Sequence, residues 1–176
     1  MTFSKVLPKT LSFTDTKLYI FSFSFVVLAV FVPLALHQFH VAGPKFLPMH
    51  FFILIAGFLL GWQTGLIVGI FSPLMSYSIS HLPAISLLPE ITLELAMYGL
   101  ITGLLREKGL NIWVSLFFAM IFGRLARLFF VLGFGLETDP LMYFQMSLPG
   151  ILLQIVLIPL IILLLQKHVF NNEKAV

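Results

Sequence analysis

The 176-residue sequence contains no cysteine, and charged residues make up only 10% of it, whereas hydrophobic residues make up 60%. The absence of cysteine excludes disulfide bonds and thiolate-ligated metal sites. A soluble domain carries about 25% charged residues, so the low charge content and the mean hydropathy of +1.08 indicate an integral membrane protein. The chain is too short for two membrane domains, and we predict one all-α bundle.

Catalytic signatures are also missing from the sequence. It has no HExxH zinc motif, no GxSxG nucleophile elbow and no glycine-rich P-loop. We therefore expect neither an enzyme nor a resident cofactor, and a chain without a P-loop cannot hydrolyse ATP by itself. The sequence pI is near 9.3, but the basic residues are divided among loops and form no patch, which argues against nucleic-acid binding.

Six apolar segments can be separated at polar residues or at Pro and Gly. They run approximately over 18–36, 46–61, 64–80, 90–105, 112–134 and 147–166. About 20 helical residues are needed to cross ~30 Å of hydrocarbon, so the second to fourth segments must tilt, thin the bilayer locally or lie inside the bundle. We predict a six-helix membrane domain over 18–167, with tails at 1–17 and 168–176. A re-entrant hairpin formed by the second and third segments is the alternative.

The orientation follows from the basic residues. With six crossings, one side of the membrane holds nearly all of them: Lys5, Lys9, Lys17, Arg106, Lys108, Lys167 and Lys174. Only Lys45 lies in a loop on the other side, so the positive-inside rule places both termini in the cytoplasm. Glycines recur every four residues from Gly57 to Gly69 and again at Gly99 and Gly103, a spacing typical of closely packed membrane helices.

Four charged residues interrupt the fourth and fifth segments: Glu90, Glu94, Arg124 and Arg127. A charge near the bilayer centre costs about 2.5–3.5 kcal/mol on insertion scales, so such residues usually face a protein interior or a watery cavity. Counting 1.5 Å per residue from the cytoplasmic ends places Glu94 and Arg124 both roughly 18 Å up. Gln154 in the sixth segment reaches about 19 Å, so three polar groups come to one level.

Three interpretations are open at this point. In the first, Glu94, Arg124 and Gln154 form the floor of a pocket open to the exterior. The predicted walls of this pocket are Tyr98 and Arg127, and His50 and His81 act from the outer loops. Glu90, one turn closer to the outside than Glu94, is also a predicted site residue. In the second, a buried Glu–Arg bridge only locks two helices together, as in a structural or assembly protein. A divalent-metal site on the exterior histidines is a third possibility, but they lack paired HxH or HxxxH spacing.

The order and spacing of several motifs between Gly43 and Leu104 resemble a known family. They are Pro48-Met49-His50, the glycine ladder from Gly57 to Gly69, Pro73, Pro83, and Glu94 followed by Tyr98-Gly99 and Gly103; Gly123-Arg124 extends the pattern. Together they look like the substrate-binding (S) component of energy-coupling factor (ECF) transporters, the vitamin-uptake ABC systems of prokaryotes.

This resemblance implies a six-helix S component in a prokaryotic cell membrane, with an outward-facing site for a vitamin or vitamin precursor. It also implies a membrane coupling subunit and two cytoplasmic ATPases as partners, and delivery of the ligand by toppling of the whole bundle. Two family features are missing. The first segment has no Ala-x-x-x-Ala patch for docking, and the N-terminal Met-His signature of the nickel and cobalt members is absent.

Overall fold

The computed structural model describes residues 10–38, 45–136 and 139–165, which form six α-helices and no strand. The helices are α1 (Thr16–Gln38), α2 (Pro48–Leu60), α3 (Trp62–Ser80), α4 (Leu88–Glu107), α5 (Ile112–Phe134) and α6 (Pro140–Leu165). The predicted all-α bundle is confirmed. Most of the two predicted tails lies outside the described residues, so their cytoplasmic location and the domain limits remain predictions.

Four helices are long and apolar enough to cross a membrane, namely α1, α4, α5 and α6. The second helix has only 13 residues, or about 20 Å, and the third is rich in Ser, Thr and Gly. The second helix is mostly buried, whereas the third packs one face on its neighbours and exposes Phe71, Met75 and Ile79 on the other. Burial inside the bundle is one of the three solutions expected for short segments.

The junction between α2 and α3 shows how this short pair is placed. It lies at the end of the bundle where α1 starts and α4 finishes: Leu11 N donates to Leu60 O at 3.0 Å, and Gly103 packs on the backbone of Trp62. The opposite end of α2 lies beside α6, where Gly150 N donates to Lys45 O at 2.9 Å. Gly150 lies well inside α6, so α2 extends from that end of the bundle to the level of the middle of α6.

Two predicted helix boundaries were wrong. The break between α2 and α3 lies at Gly61 rather than at residues 63 and 64. Gly61 adopts φ 97°, a backbone conformation that residues other than glycine rarely adopt. The last helix begins at Pro140, seven residues before the predicted start. Asp139 caps it by accepting hydrogen bonds from Leu141 N at 2.9 Å and Met142 N at 3.2 Å.

The glycine faces bring α3 and α4 into backbone contact, as predicted. A Cβ added to Gly65 would collide with the backbone of Gly99, and a Cβ on Gly99 would collide with Gly65. The backbones thus approach as closely as they can without side chains between them. This contact fixes the height of α4 in the bundle and therefore the height of its carboxylates.

The sixth helix contacts both α2 and α5. Besides the Gly150 contact, the amide nitrogen of Gln154 donates to Leu47 O at 3.3 Å, and both groups are buried. Between α5 and α6 the packing is incomplete and a groove remains, lined by residues of both helices. This groove adjoins the charged residues of α5.

Candidate binding site at the α4–α5–α6 junction

Arg127 is the centre of a buried ionic network. Its Nη2 lies 3.0 Å from Glu90 Oε1 and its Nη1 lies 3.2 Å from Glu94 Oε2. Both carboxylates have no exposed surface, and Arg127 is 5% exposed. Tyr143 of α6 covers the other face of the guanidinium, with its ring centroid 3.5 Å from Arg127 Cζ. One arginine thus ties together α4, α5 and α6.

The spacing of residues on α4 explains how both carboxylates reach the same arginine. Glu90, Glu94 and Tyr98 are four residues apart and share one face of the helix. The Tyr98 hydroxyl donates to Glu94 Oε1 at 2.9 Å, so both oxygens of Glu94 are engaged. A Cβ added at Gly123 would collide with the Tyr98 ring, so the glycine makes room for this side chain. The sequence thus builds the network by helix periodicity on α4 and a small residue on α5.

His50 extends the network towards α2. It is 4% exposed, its Nε2 lies 3.9 Å from Glu94 Oε1, and its ring meets Tyr98 edge-on with centroids 5.4 Å apart. Neither ring nitrogen has a hydrogen-bond partner among the described residues. The prediction that His50 acts from an outer loop was wrong, although the predicted second segment, 46–61, contained it: His50 lies in the first turn of α2. A helix beginning at Pro48 carries its third residue inward, next to Glu94.

Arg124 has a different environment from Arg127. Its Cζ lies 5.2 Å from the ring centroid of Phe144, and its Nε and Nη2 atoms are buried without a hydrogen-bond partner in the described part of the chain. Residues three apart on a helix differ by about 60° around the axis. That angle is enough for Arg127 to face the carboxylates of α4 while Arg124 faces the groove.

The groove between α5 and α6 has a volume of about 870 Å³, within the range of small-molecule sites. Its charged lining residues are Arg124, Arg127 and Asp139. The aromatic ones are Trp113, Phe117, Tyr143 and Phe144, and all other lining residues are Leu, Ile or Met. The cavity therefore combines a small set of polar groups with extensive apolar walls. This composition is typical of ligand sites.

The structure brings together five of the predicted site residues: Glu90, Glu94, Tyr98, Arg127 and His50. The depth count placed Arg124 level with Glu94, and Arg127 level with Glu90 one turn further out. In the structure Arg127 contacts both carboxylates, and Arg124 contacts neither. A residue count along the helix gives only the depth of a side chain in the membrane. The direction in which the side chain leaves the α5 axis decides which arginine meets the carboxylates.

Two other predicted site residues take different places. Gln154 bonds to Leu47 O and joins α6 to α2. His81 caps the end of α3, is exposed, and packs its ring against Tyr77 with centroids 5.6 Å apart. Neither is among the residues that line the groove.

Sequence reasoning missed Tyr143, Phe144 and Asp139, because the sixth helix was expected to begin at residue 147. An Asp-Pro pair is a typical helix start, since Asp caps and Pro fits the first turn. That signal would have extended the predicted α6 to Pro140 and so included the aromatic residues of its first turns. As for metals, the described residues contain no group of three His, Cys, Asp or Glu side chains placed to hold an ion.

Comparison with known proteins identifies the family. The family model described as "ECF transporter, substrate-specific component" matches residues 16–171, nearly the whole chain. The chain belongs to this family. No curated protein and no solved structure was found to match it.

The S component is accordingly a membrane subunit that belongs with the membrane and ATPase subunits of an ECF module. Members of the family determine substrate specificity and are not enzymes. The resemblance inferred from the motifs between Gly43 and Leu104 is confirmed.

Proposed function

We propose that this S component captures a small water-soluble vitamin or vitamin precursor at the exterior face of a prokaryotic cell membrane. Its partners are a membrane coupling subunit and two cytoplasmic ATPases, and toppling of the docked bundle delivers the ligand. The observation that carries the proposal is the groove beside Arg124, a cation whose buried Nε and Nη2 have no protein partner in the described residues. Family membership supplies the transport context.

The two arginines have separate tasks in this proposal. Arg127 is held by Glu90, Glu94 and the Tyr143 ring, so it forms part of the framework. Arg124 supplies donors to the ligand, and a guanidinium offers planar N–H groups suited to a carboxylate or a carbonyl. Phe144, stacked beside Arg124, provides a flat surface against a ring or chain. Tyr98 holds Glu94 in place through its hydroxyl, and His50 packs beside them.

The same network is consistent with a second candidate function, that of a structural or assembly protein. The buried bridge of Arg127 to two carboxylates is a helix lock by its geometry. That reading accounts for three charged side chains but not for Arg124 or for the groove. It predicts no saturable binding of a small molecule.

Native mass spectrometry of the S component purified from cells grown in rich medium tests the proposal. We expect a bound small molecule in the wild-type protein and its loss in Arg124→Ala, with the variant still monodisperse. Lys108→Gln is the matched control, because it removes one positive charge from an exposed residue just beyond α4. Ligand retained in full by Arg124→Ala, or no ligand and no uptake with a co-expressed energising module, contradicts the proposal.

A further inference from the structure

We infer that the ligand is an amphipathic organic acid: a single carboxylate bound by Arg124 and an apolar body lying in the α5–α6 groove. This inference rests on the proposed function and narrows its substrate class. It is drawn from the distribution of charge along the groove, the number of free donors, and the apolar length on the cytoplasmic side of Arg124.

The groove is polar only near its outer part. Arg124, Arg127, Asp139 and Tyr143 lie there, whereas the wall from Arg124 back to Trp113 presents Leu, Ile, Met and Phe side chains. Eleven residues separate Trp113 from Arg124, or roughly 16 Å along the helix. A ligand that is polar throughout would leave its hydrogen-bonding groups unpaired in this section, at a cost for each group. A ligand with an apolar body has no such groups to leave unpaired in this section of the groove.

The free donors indicate one acceptor group of small size. Arg124 offers Nε and Nη2, two adjacent donors without a partner in the described residues. Two adjacent guanidinium donors match the two oxygens of a carboxylate. The neighbouring cation is already engaged by Glu90 and Glu94 at 3.0 and 3.2 Å, so it has little capacity for a second anion.

Charge counting argues for one negative charge rather than two. The charges inside the bundle, on Glu90, Glu94, Arg124 and Arg127, sum to zero, and the further lining carboxylate, Asp139, is exposed and caps α6. Each negative charge of a ligand is therefore in excess over the side chains. A phosphate monoester carries about 1.5 to 2 negative charges at neutral pH, against one for a carboxylate. The carboxylate therefore leaves the smaller uncompensated charge in a poorly solvated place.

The groove also opens sideways on the apolar surface. Its lining residues Phe117, Leu132 and Leu141 are 61%, 67% and 65% exposed. An occupant can therefore keep part of its apolar body in contact with lipid while its carboxylate is held by Arg124. An anionic lipid is the competing occupant, and the experiment is arranged to separate it from a free acid.

Calorimetric titration of the S component in nanodiscs of zwitterionic lipid, with empty nanodiscs subtracted, tests the inference. The probes are ω-phenylalkanoic acids with two to six methylene groups and the matching neutral amides. We expect saturable binding of at least one acid, about tenfold or more weaker binding of its amide, and loss of this preference in Arg124→Gln. Lys108→Gln keeps the preference.

Equal affinity for acid and amide, an unchanged acid affinity in Arg124→Gln, or no saturable acid across the series overturns the inference. Loss of acid binding when phosphatidylglycerol is added to the nanodiscs, with only phospholipid co-purifying, also overturns it in favour of lipid. A neutral or cationic solute that co-purifies and is taken up refutes the acid while the transport function stands. Acid binding without uptake by the complete ECF complex has the opposite meaning: the ligand class holds and the proposed transport fails.

Discussion

Replacing Arg127 by methionine removes the cation from a network in which Glu90 and Glu94 have no exposed surface. Both carboxylates then lose a partner at 3.0–3.2 Å and cannot regain it from water. Breaking a buried ion pair on one side costs about 3–5 kcal/mol, and we expect a loss of that order. Arg124→Met, three residues away, removes a guanidinium with two unpartnered buried nitrogens.

The changes in the free energy of unfolding caused by Arg127→Met and Arg124→Met should therefore differ in sign, or at least greatly in size. No hydrogen bond in the described residues is lost at Nε or Nη2 of Arg124, and a buried group without a partner carries a desolvation penalty of about 1–3 kcal/mol that its removal relieves. We expect the Arg124→Met protein to be as stable as wild type or more stable. Unfolding in mixed micelles of increasing dodecyl sulfate content, followed by tryptophan fluorescence, measures the free energy of unfolding.

A compensated variant separates charge from shape at the Arg127 site. Combining Arg127→Met with Glu90→Gln and Glu94→Gln removes the buried negative charges together with the cation. We expect this triple variant to recover most of the stability, because neutral replacements of a buried ionic network are often tolerated. Equal destabilisation by the two Arg→Met single variants, or no recovery in the triple variant, refutes the distinction between a framework arginine and a ligand arginine.

Further predictions concern the helix contacts that position the site. Gly99→Ala should destabilise the bundle by about 1–3 kcal/mol, because its Cβ collides with the backbone of Gly65, whereas Gly133→Ala, with no atom within 4 Å, should be close to neutral. The same unfolding assay compares them, and equal effects contradict the close-packing account. Gln154→Leu should cost about 1 kcal/mol by removing its hydrogen bond to Leu47 O, which then accepts only from His50 N, and it should raise hydrogen exchange in α6 more than in α4. Unchanged exchange in α6 contradicts the view that this bond holds the helix.

Much of the fold is readable from the sequence. Apolar segments separated by Pro and Gly predicted six helices, and the interval of four between glycines predicted close helix packing, although only the structure shows that Gly65 meets Gly99. The periodic face of Glu90, Glu94 and Tyr98 was also visible, because helix geometry fixes which residues share a face. These features depend on local spacing, and local spacing is what a sequence contains.

The choice of partner across helices was not readable in the same way. Arg124 and Arg127 are chemically identical, and only the rotation of α5 against α4 decides that Arg127 meets the carboxylates. That rotation depends on packing details such as the Tyr98 ring against Gly123. The groove is likewise a product of incomplete packing between α5 and α6, which no single segment specifies.

The most direct test of the account is an experimental structure of the S component with its co-purified ligand. The account predicts that an acidic oxygen of the ligand lies within about 3.2 Å of Arg124 Nε or Nη2, while Arg127 keeps its contacts with Glu90 and Glu94. A ligand bound away from the α5–α6 groove, or an Arg124 paired with Glu94 and closed to the ligand, would contradict it.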